Sequence, residues 1–487
     1  MLKKIRVAVS ILIFSLLTFY FLDFAGILPS RIHVLGHIQF IPALLSHNAI
    51  IVCLIILALL FGRVYCSFIC PMGVFQDIAS RCSKKKFAYR KNNPVLRWSI
   101  VAITFILFLS GFTIAIGILD PYSAYGRIAV HIFRPIYIFA NNILAGVFSN
   151  FGNYTFYKVG IGILSIFSLS VALLTFVAIG VLAWKKGRFY CNTICPVGTV
   201  LGFINKFSLF KIRINNTQCT SCGICEKNCK ASCIDAKAKT IDYSRCVNCF
   251  NCVKGCNRRG VFYAKKSKEI QPAVDKGKRK FLLAGLAAIA APKALAANPA
   301  AQRKVAISPP GSVSAERLMK RCTSCHLCVS KCPSKVLRPA FMEYGIGGMM
   351  MPVMCFERGF CNFDCTACSS VCPSHALVPL TKEQKHRLQV GKVIFIPELC
   401  VVHTNGTSCG ACSEHCPTQA VKMVPYKGGL TIPVIDVDTC VGCGGCEFIC
   451  PVRPYRAIYV EGNKVHQKAK AFIVEKQEER EVRDFGF

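Results

Sequence analysis

Four apolar stretches dominate the first 190 positions of the chain. Residues 7–28, 40–61, 98–119 and 159–184 each run long enough, at roughly 20 residues, to cross a bilayer as a helix. The second is the weakest, broken by Pro42, His47 and Asn48. The polar positions between the stretches alternate in charge. Lys3, Lys4 and Arg6 precede the first; Arg63, Arg81, Lys84, Lys85, Lys86, Arg90, Lys91 and Arg97 follow the second; Lys185, Lys186 and Arg188 follow the fourth. The other loops are poor in Lys and Arg. This bias predicts a four-span bundle with both ends in the cytoplasm. The apolar segment 121–158 reads as an outer loop holding an amphipathic or re-entrant helix.

Beyond residue 200 the apolar periodicity gives way to cysteine. Of 32 cysteines, 24 fall into six runs standing as three pairs. The first pair is Cys219-x2-Cys222-x2-Cys225-x3-Cys229 with Cys246-x2-Cys249-x2-Cys252-x3-Cys256. The second is Cys322-x2-Cys325-x2-Cys328-x3-Cys332 with Cys361-x3-Cys365-x2-Cys368-x3-Cys372. The third is Cys400-x8-Cys409-x2-Cys412-x3-Cys416 with Cys440-x2-Cys443-x2-Cys446-x3-Cys450. In the two-cluster ferredoxin spacing, one loop wraps three corners of a cubane and the last cysteine of each run ligates the partner run's cluster. The expected ligand sets are therefore Cys219, Cys222, Cys225 and Cys256 (first); Cys246, Cys249, Cys252 and Cys229 (second); Cys322, Cys325, Cys328 and Cys372 (third). The fourth is Cys361, Cys365, Cys368 and Cys332; the fifth Cys400, Cys409, Cys412 and Cys450; the sixth Cys440, Cys443, Cys446 and Cys416. Six [4Fe–4S] clusters follow. A disulfide framework belongs to short secreted domains without tandem repeats. Zinc fits runs ending in Cys-Pro poorly. Cys322-Thr-Ser-Cys325-His326 spells a haem attachment signal, but Cys328 and Cys332 continue it in ferredoxin register.

Two further motifs stand where the second and fourth spans end, Cys66-x3-Cys70-Pro71 and Cys191-x3-Cys195-Pro196, each after a basic-aromatic lead-in. They read as an internal repeat whose four thiols converge at one membrane face. One more metal centre, a redox dithiol and a brace for helix ends are all compatible with them. Cys53, Cys82, Cys233 and Cys355 have no motif partner.

The net charge of +36 is uneven: residues 1–297 hold 37 Lys+Arg against 8 Asp+Glu, and residues 298–487 hold 23 against 16. The basic residues flank apolar spans rather than forming a soluble patch, which argues against nucleic acid as a partner. Between the two parts, the basic segment 257–280 leads into the apolar segment 281–297 and an Ala294-Leu295-Ala296 cleavage-like site, the layout of an export signal. The expected result is a fifth crossing that places 298–487 in the outer compartment.

These motifs carry a resemblance. Residues 1–260 resemble the NapH type of membrane ferredoxin protein, with four spans, two Cys-x3-Cys-Pro motifs and two cluster runs. Residues 275–455 resemble the NapG/MauM type of exported ferredoxin, down to Phe360-Cys361-x3-Cys365 and Cys400-x8-Cys409. Lys278-Arg279-Lys280-Phe281-Leu282 departs from that type in carrying lysine for one arginine of the export signal. The resemblance implies a quinol dehydrogenase component of the bacterial inner membrane. It would draw on the quinone pool, menaquinol or ubiquinol, and feed a periplasmic reductase or small electron carrier. Asp23, His33, His37, Asp120 and His131 are the ionisable groups near the expected outer face, without an assigned catalytic role. A maturation factor for a respiratory metalloenzyme is the alternative, and a cytoplasmic ferredoxin or flavodoxin donor a third reading. The expected fold is an α-helical membrane bundle (1–200), lipid-embedded, plus three small α+β bacterial-ferredoxin-like two-cluster modules. These are 201–262, cytoplasmic, then 301–380 and 381–460. A linking segment (263–300) and a polar tail (461–487) complete the chain.

Overall fold

The computed structural model describes residues 2–265 and 303–471, except Ala25, His47, Asn48, Lys84, Lys85, Ile161 and Ile163. The expected crossing at 281–297 and most of the tail lie outside these residues.

Three helices among the described residues are long and apolar enough to span a membrane: Leu2–Leu22, Pro121–Ser149 and Ile166–Lys186. The first and last coincide with expected spans. Both are 21 residues long, which at 1.5 Å per residue reaches about 30 Å. Ser165 caps the start of Ile166–Lys186 by accepting from the Ser168 N–H, and Gly187, at φ 62°, ends it.

The other two expected spans are broken. Phe40–Leu45 and Ile50–Phe61 replace the second, and Pro94–Leu109 and Ile114–Leu119 replace the third, with Gly111 at φ 83° in the break. The third long helix lies within 121–158, the segment expected to hold an amphipathic or re-entrant helix. It runs from Pro121 through a π-helical turn at Ala129–Phe133 to Ser149. Its polar residues misled the hydropathy pattern: Arg127 and His131 are buried against protein, not exposed to water or lipid. The start of this helix lies beside the second module, and the chain beyond Ser149 folds back along it, Asn142 Nδ2 donating to Val159 O at 2.8 Å. Gly117, just before the helix, lies against Thr323, and in the returning chain Gly160 O accepts from Lys335 Nζ at 2.8 Å.

Two hairpins then enter the bundle. In one, Ile50–Phe61 ends at Gly62 (φ 77°), Val64–Phe68 carries Cys66, and Pro71–Cys82 leads back. In the other, Ile166–Lys186 ends at Gly187, Tyr190–Ile194 carries Cys191, and Pro196–Asn205 leads back. Proline at the first helical position presets φ where no N–H is needed.

The ferredoxin-like modules are short helices and two-stranded antiparallel sheets. Phe210–Ile214 pairs with Val261–Lys265 in the first module, and Leu337–Pro339 with Pro352–Met354 in the second. In the third, Val421–Pro425 pairs with Thr431–Ile435, and Leu388–Phe395 with Ile458–Lys468. That last strand carries the third module to Lys468, into the segment read as polar tail.

Modules one and two sit at opposite ends of Leu2–Leu22. Near its start, Arg6 pairs with Asp77 at 2.7 Å, and Lys230 of module one reaches the same carboxylate at 3.6 Å. Arg97 Nη2 also donates to Ser244 O of that module at 3.2 Å. Just past its other end, Asp23 pairs with Lys331 of module two at 2.8 Å. Thr113 Oγ1 donates to Met319 O at 2.7 Å and Arg127 Nη1 to Ser324 O at 3.3 Å.

Candidate metal centres

The loops that carry the cysteines share a backbone signature. Left-handed residues flank the second cysteine of four runs: Ser221 and Gly223 around Cys222, Asn248 and Phe250 around Cys249, Ser324 and His326 around Cys325, Gly442 and Gly444 around Cys443. This alternation turns successive N–H groups to one side and forms a cradle for an anion. Two of those groups bond sulfur, Ser324 N–H to Cys322 Sγ and Gly442 N–H to Cys440 Sγ, both at 3.4 Å, and outside the cradles the Leu377 N–H bonds Cys372 Sγ at 3.4 Å. Runs with the Cys-x3-Cys and Cys-x8-Cys spacing lack the signature.

The cysteines gather in the expected sets. Cys219, Cys222, Cys225 and Cys256 line one cavity. Cys229, Cys246, Cys249 and Cys252 line another, and Cys400, Cys409, Cys412 and Cys450 a third. Cys328 neighbours Cys322, Cys325 and Cys372; Cys368 neighbours Cys361, Cys365 and Cys332; Cys446 neighbours Cys440, Cys443 and Cys416.

These surroundings fit cubanes. Burial, reinforced by neighbouring thiols, pushes the Cys412 and Cys443 thiols up to about 12. Several thiolates share such a space when a positively charged core offsets them. His326, in the haem-like signal, faces elsewhere: its Nδ1 lies 2.8 Å from His131 Nε2 and its Nε2 2.8 Å from Met350 O.

The sets form a line whose order differs from the chain's. The first set is the open end, with Cys222 exposed, and the four cysteines of the second are all buried. Arg188 lies within electrostatic reach of Cys249 in the second set and of Cys191 in the bundle. On the far side, Asp120 reaches both Cys195 and Cys325 of the third set. Cys328 adjoins Cys368, joining third to fourth. Cys361 N–H donates to Cys443 O at 2.9 Å, so the fourth set meets the sixth, and Cys446 neighbours Cys412 of the fifth.

Cys66, Cys70, Cys191 and Cys195 are all buried in the bundle, at 2–3% exposure. Cys53 and Cys82 are exposed and Cys355 is buried. Cys233 was missed by spacing alone. Its sulfur lies 3.5 Å from Cys229 Sγ, and it lines the second cavity. Four of the five ionisable groups noted near the outer face contact module two or its surroundings. Asp23 pairs with Lys331, His37 stands edge-on to His375, and His131 bonds His326. His33 packs on Tyr20, itself under Lys331. Asp120 instead caps the Pro121 helix by accepting from Ser123.

Known proteins agree with the cysteine chemistry. A family described as a 4Fe-4S binding domain matches residues 49–90 and 168–215. Two families described as 4Fe-4S dicluster domains match 242–336 and 407–453. The putative electron transport protein YccM of Escherichia coli K12 is 27% identical over 210 residues, 42% of this chain and 52% of that protein. The chain thus spans about half the length of that relative. The ferredoxin-type protein NapG of the same strain is 26% identical over 188 residues, covering 36% of this chain and 81% of NapG. The methylamine utilization ferredoxin-type protein MauM of Methylophilus methylotrophus is 28% identical over 157 residues, 30% and 66% of the two chains. No solved structure matches. The chain is an iron–sulfur electron-transfer protein with 4Fe-4S ferredoxin-type domains. It is related to the Nap and Mau ferredoxin-type proteins.

Proposed function

We propose that the chain is a membrane-bound electron relay. It takes electrons from quinol and passes them through six [4Fe–4S] clusters to a periplasmic reductase or small electron carrier. One observation carries this reading: the cysteine sets form a single line running from module one, past the thiols inside the bundle, to modules two and three at the other end. In this reading the line crosses a bacterial inner membrane, module one is cytoplasmic, and the chain fuses a NapH-type half to a NapG/MauM-type half.

Each cluster, when bound, accepts and releases one electron at a time. The chain's own residues do the rest. The 24 cysteines of the six sets are the ligands, and cradling N–H groups offset their charge. Lys331, Arg127 and Thr113 hold module two against the bundle. Quinol oxidation yields two electrons and two protons. Asp23, His33 and His37 stand beside module two, and in this reading His33 and His37 are the nearest side chains to take up those protons. A second reading rests on the exposure of Cys222 at the open end of the line: a low-potential ferredoxin or flavodoxin loads the first set from the cytoplasm and serves maturation of a metalloenzyme.

Anaerobic mixing of the cluster-loaded chain with a reduced menaquinone analogue, followed by cluster bleaching and EPR, tests the proposal. Rapid reduction blocked by a quinol-site inhibitor supports the quinol relay. Clusters that stay oxidised with quinol yet reduce with a low-potential ferredoxin overturn it in favour of the second reading.

A further inference from the structure

The line of six sets leaves a gap inside the bundle, and there the two Cys-x3-Cys-Pro hairpins meet. We propose that Cys66, Cys70, Cys191 and Cys195 together hold a seventh iron–sulfur centre, bridging the second and third sets. The proposal rests on the relay reading above.

The two hairpins contribute equivalent halves of one site. Cys70 and Cys195 occupy the cap positions before Pro71 and Pro196, and Cys66 and Cys191 lie one turn earlier. All four are free and buried, and Cys70 is within electrostatic reach of the other three. Neither family-matched stretch suffices alone: 168–215 contains only Cys191 and Cys195, and of the four cysteines in 49–90 only Cys66 and Cys70 are buried, Cys53 and Cys82 being exposed. A cluster with four thiolate ligands needs both.

Each sulfur meets a donor. Gln76 Nε2 lies 3.0 Å from Cys191 Sγ and the Gly198 N–H 3.3 Å from Cys195 Sγ. The Gly73 N–H serves Cys70, and Arg63 Nη2 approaches Cys66 Sγ at 3.9 Å. Helix capping explains two of these contacts. It does not explain the guanidiniums.

Arg63 and Arg188 are both fully buried, at 0% exposure. Arg188 has Asp77, which it shares with Arg6 and Lys230. The hydrogen bonds of Arg63 go to Asn192 Oδ1, Ser244 O, Cys191 O and Cys66 Sγ, none of them a carboxylate. Arg63 Nε and Arg188 Nη2 are buried and without partners. A buried cation requires a counter-anion. Two disulfides, or four neutral thiols bracing helix ends, supply none. Four thiolates on an iron–sulfur core of charge about +2 leave a net charge of about −2, a counter-charge beside Arg63, which bonds no carboxylate.

The chemistry is outer-sphere. The centre gains one electron as the second set's cluster is oxidised, and loses it as the third set's cluster is reduced. No bond is made or broken. Arg188 faces both Cys249 and Cys191, and Asp120 both Cys195 and Cys325, so the site shortens both transfers.

The test uses the full chain, purified anaerobically in detergent. Native mass spectrometry and iron and sulfide analysis of the wild type are expected to show roughly two to four irons beyond those of six cubanes. The double variant Cys66→Ser/Cys191→Ser is expected to lose that increment and one EPR signal. Its six remaining clusters should stay, while reduction of module one no longer spreads rapidly to modules two and three. A wild-type mass of six cubanes alone, with the four thiols alkylatable or disulfide-linked, overturns the proposal whether or not the variant folds. The two readings fail separately. Extra iron with unchanged transfer in the variant keeps the site and defeats the relay; absent iron with fast transfer does the reverse.

Discussion

Arg63 and Arg188 each clasp the other's repeat. Arg188 Nη1 donates to Cys66 O at 2.7 Å, and Arg63 Nη2 donates to Cys191 O at 3.1 Å. Two glycines make room for the exchange. A Cβ on Gly73 would stand 2.3 Å from Cys66 O, and one on Gly198 would stand 2.0 Å from Cys191 O. This reciprocity joins hairpins about 125 positions apart in the chain into one unit with approximate two-fold symmetry.

Removing one clasp has an electrostatic consequence for the proposed seventh centre. Arg63→Gln keeps a donor and removes a positive charge, which disfavours the more negative reduced state. At an effective dielectric of about 20 and a separation of a few ångströms, the midpoint potential should fall on the order of 100 mV. Arg63→Lys should keep most of the wild-type value. An EPR-monitored redox titration checks both. Equal potentials in wild type and Arg63→Gln would show that no redox centre sits beside this guanidinium.

Asp77 is the only carboxylate among the described ion pairs of Arg6, Arg188 and Lys230. Breaking a buried pair by removing one partner typically costs about 3–5 kcal/mol, because the remaining charges stay buried. Asp77→Asn should therefore destabilise the bundle and loosen module one, whose Lys230 belongs to the network. Thermal unfolding in detergent, followed by cluster absorbance, should show the first and second sets bleaching before the others. Simultaneous loss of all sets at the wild-type temperature would contradict this account.

Much of the metal chemistry was legible in the sequence because cluster loops are local. Cys-x2-Cys-x2-Cys sets three ligands within one turn of chain, and the fourth follows by the crossing rule. The structure gathers Cys256 with Cys219, and Cys450 with Cys400, as that rule requires. What depends on distant packing was not legible. The repeated basic-aromatic lead-in marked Arg63 and Arg188 but not that each would reach across to the other's repeat, and Cys233 joins the second cavity only through the fold of its loop. The breaks in the expected second and third spans and the extent of the helix from Pro121 were not legible for a related reason: hydropathy assumes that polar residues face water. Arg127 and His131 face module two instead.

Lys331 and Asp23 tie module two to the end of Leu2–Leu22. Burial alone would raise the Asp23 pKa, but the hydrogen bonds from Lys331 and the backbone hold it below the ordinary carboxylate value. A depressed carboxylate pKa adds stability above the unfolded pKa of about 4, lost as pH falls through the folded value. Docking should thus be insensitive to pH between 5 and 8. Lys331→Met should weaken it by about 2 kcal/mol. The swap Asp23→Lys/Lys331→Asp should recover part of the loss, as read from a double-mutant cycle of unfolding midpoints. Additive losses would mean that the pair is not coupled.

Gly126 lies tightly against the third set. A Cβ there would meet Cys325 O at 2.6 Å and a Phe21 ring carbon at 2.9 Å. Gly126→Ala should push module two away, at a cost of about 1–3 kcal/mol, and slow electron entry into the third set. Gly146, with nothing within 4 Å of its Cβ position, provides the control. Gly146→Ala should leave stability unchanged or slightly raised. Stopped-flow reduction of the two variants, with wild type alongside, separates a packing effect at Gly126 from a general effect of replacing glycine.

The spatial order of the last three sets makes a final prediction that chain order does not. In sequence the fifth set follows the fourth. In space the fourth meets the sixth through Cys361 and Cys443, and the fifth lies beyond. Electrons arriving from module two should therefore fill the Cys440 set before the Cys400 set. Cys443→Ser, which disrupts the sixth set, should leave the fifth isolated and slow to reduce. Cys400→Ser should remove the fifth while the sixth is still reduced at the wild-type rate. Rapid-freeze EPR after mixing with reductant distinguishes the cases. If Cys400→Ser blocks reduction of the sixth set and Cys443→Ser leaves the fifth fast, electrons follow the chain and not the contact.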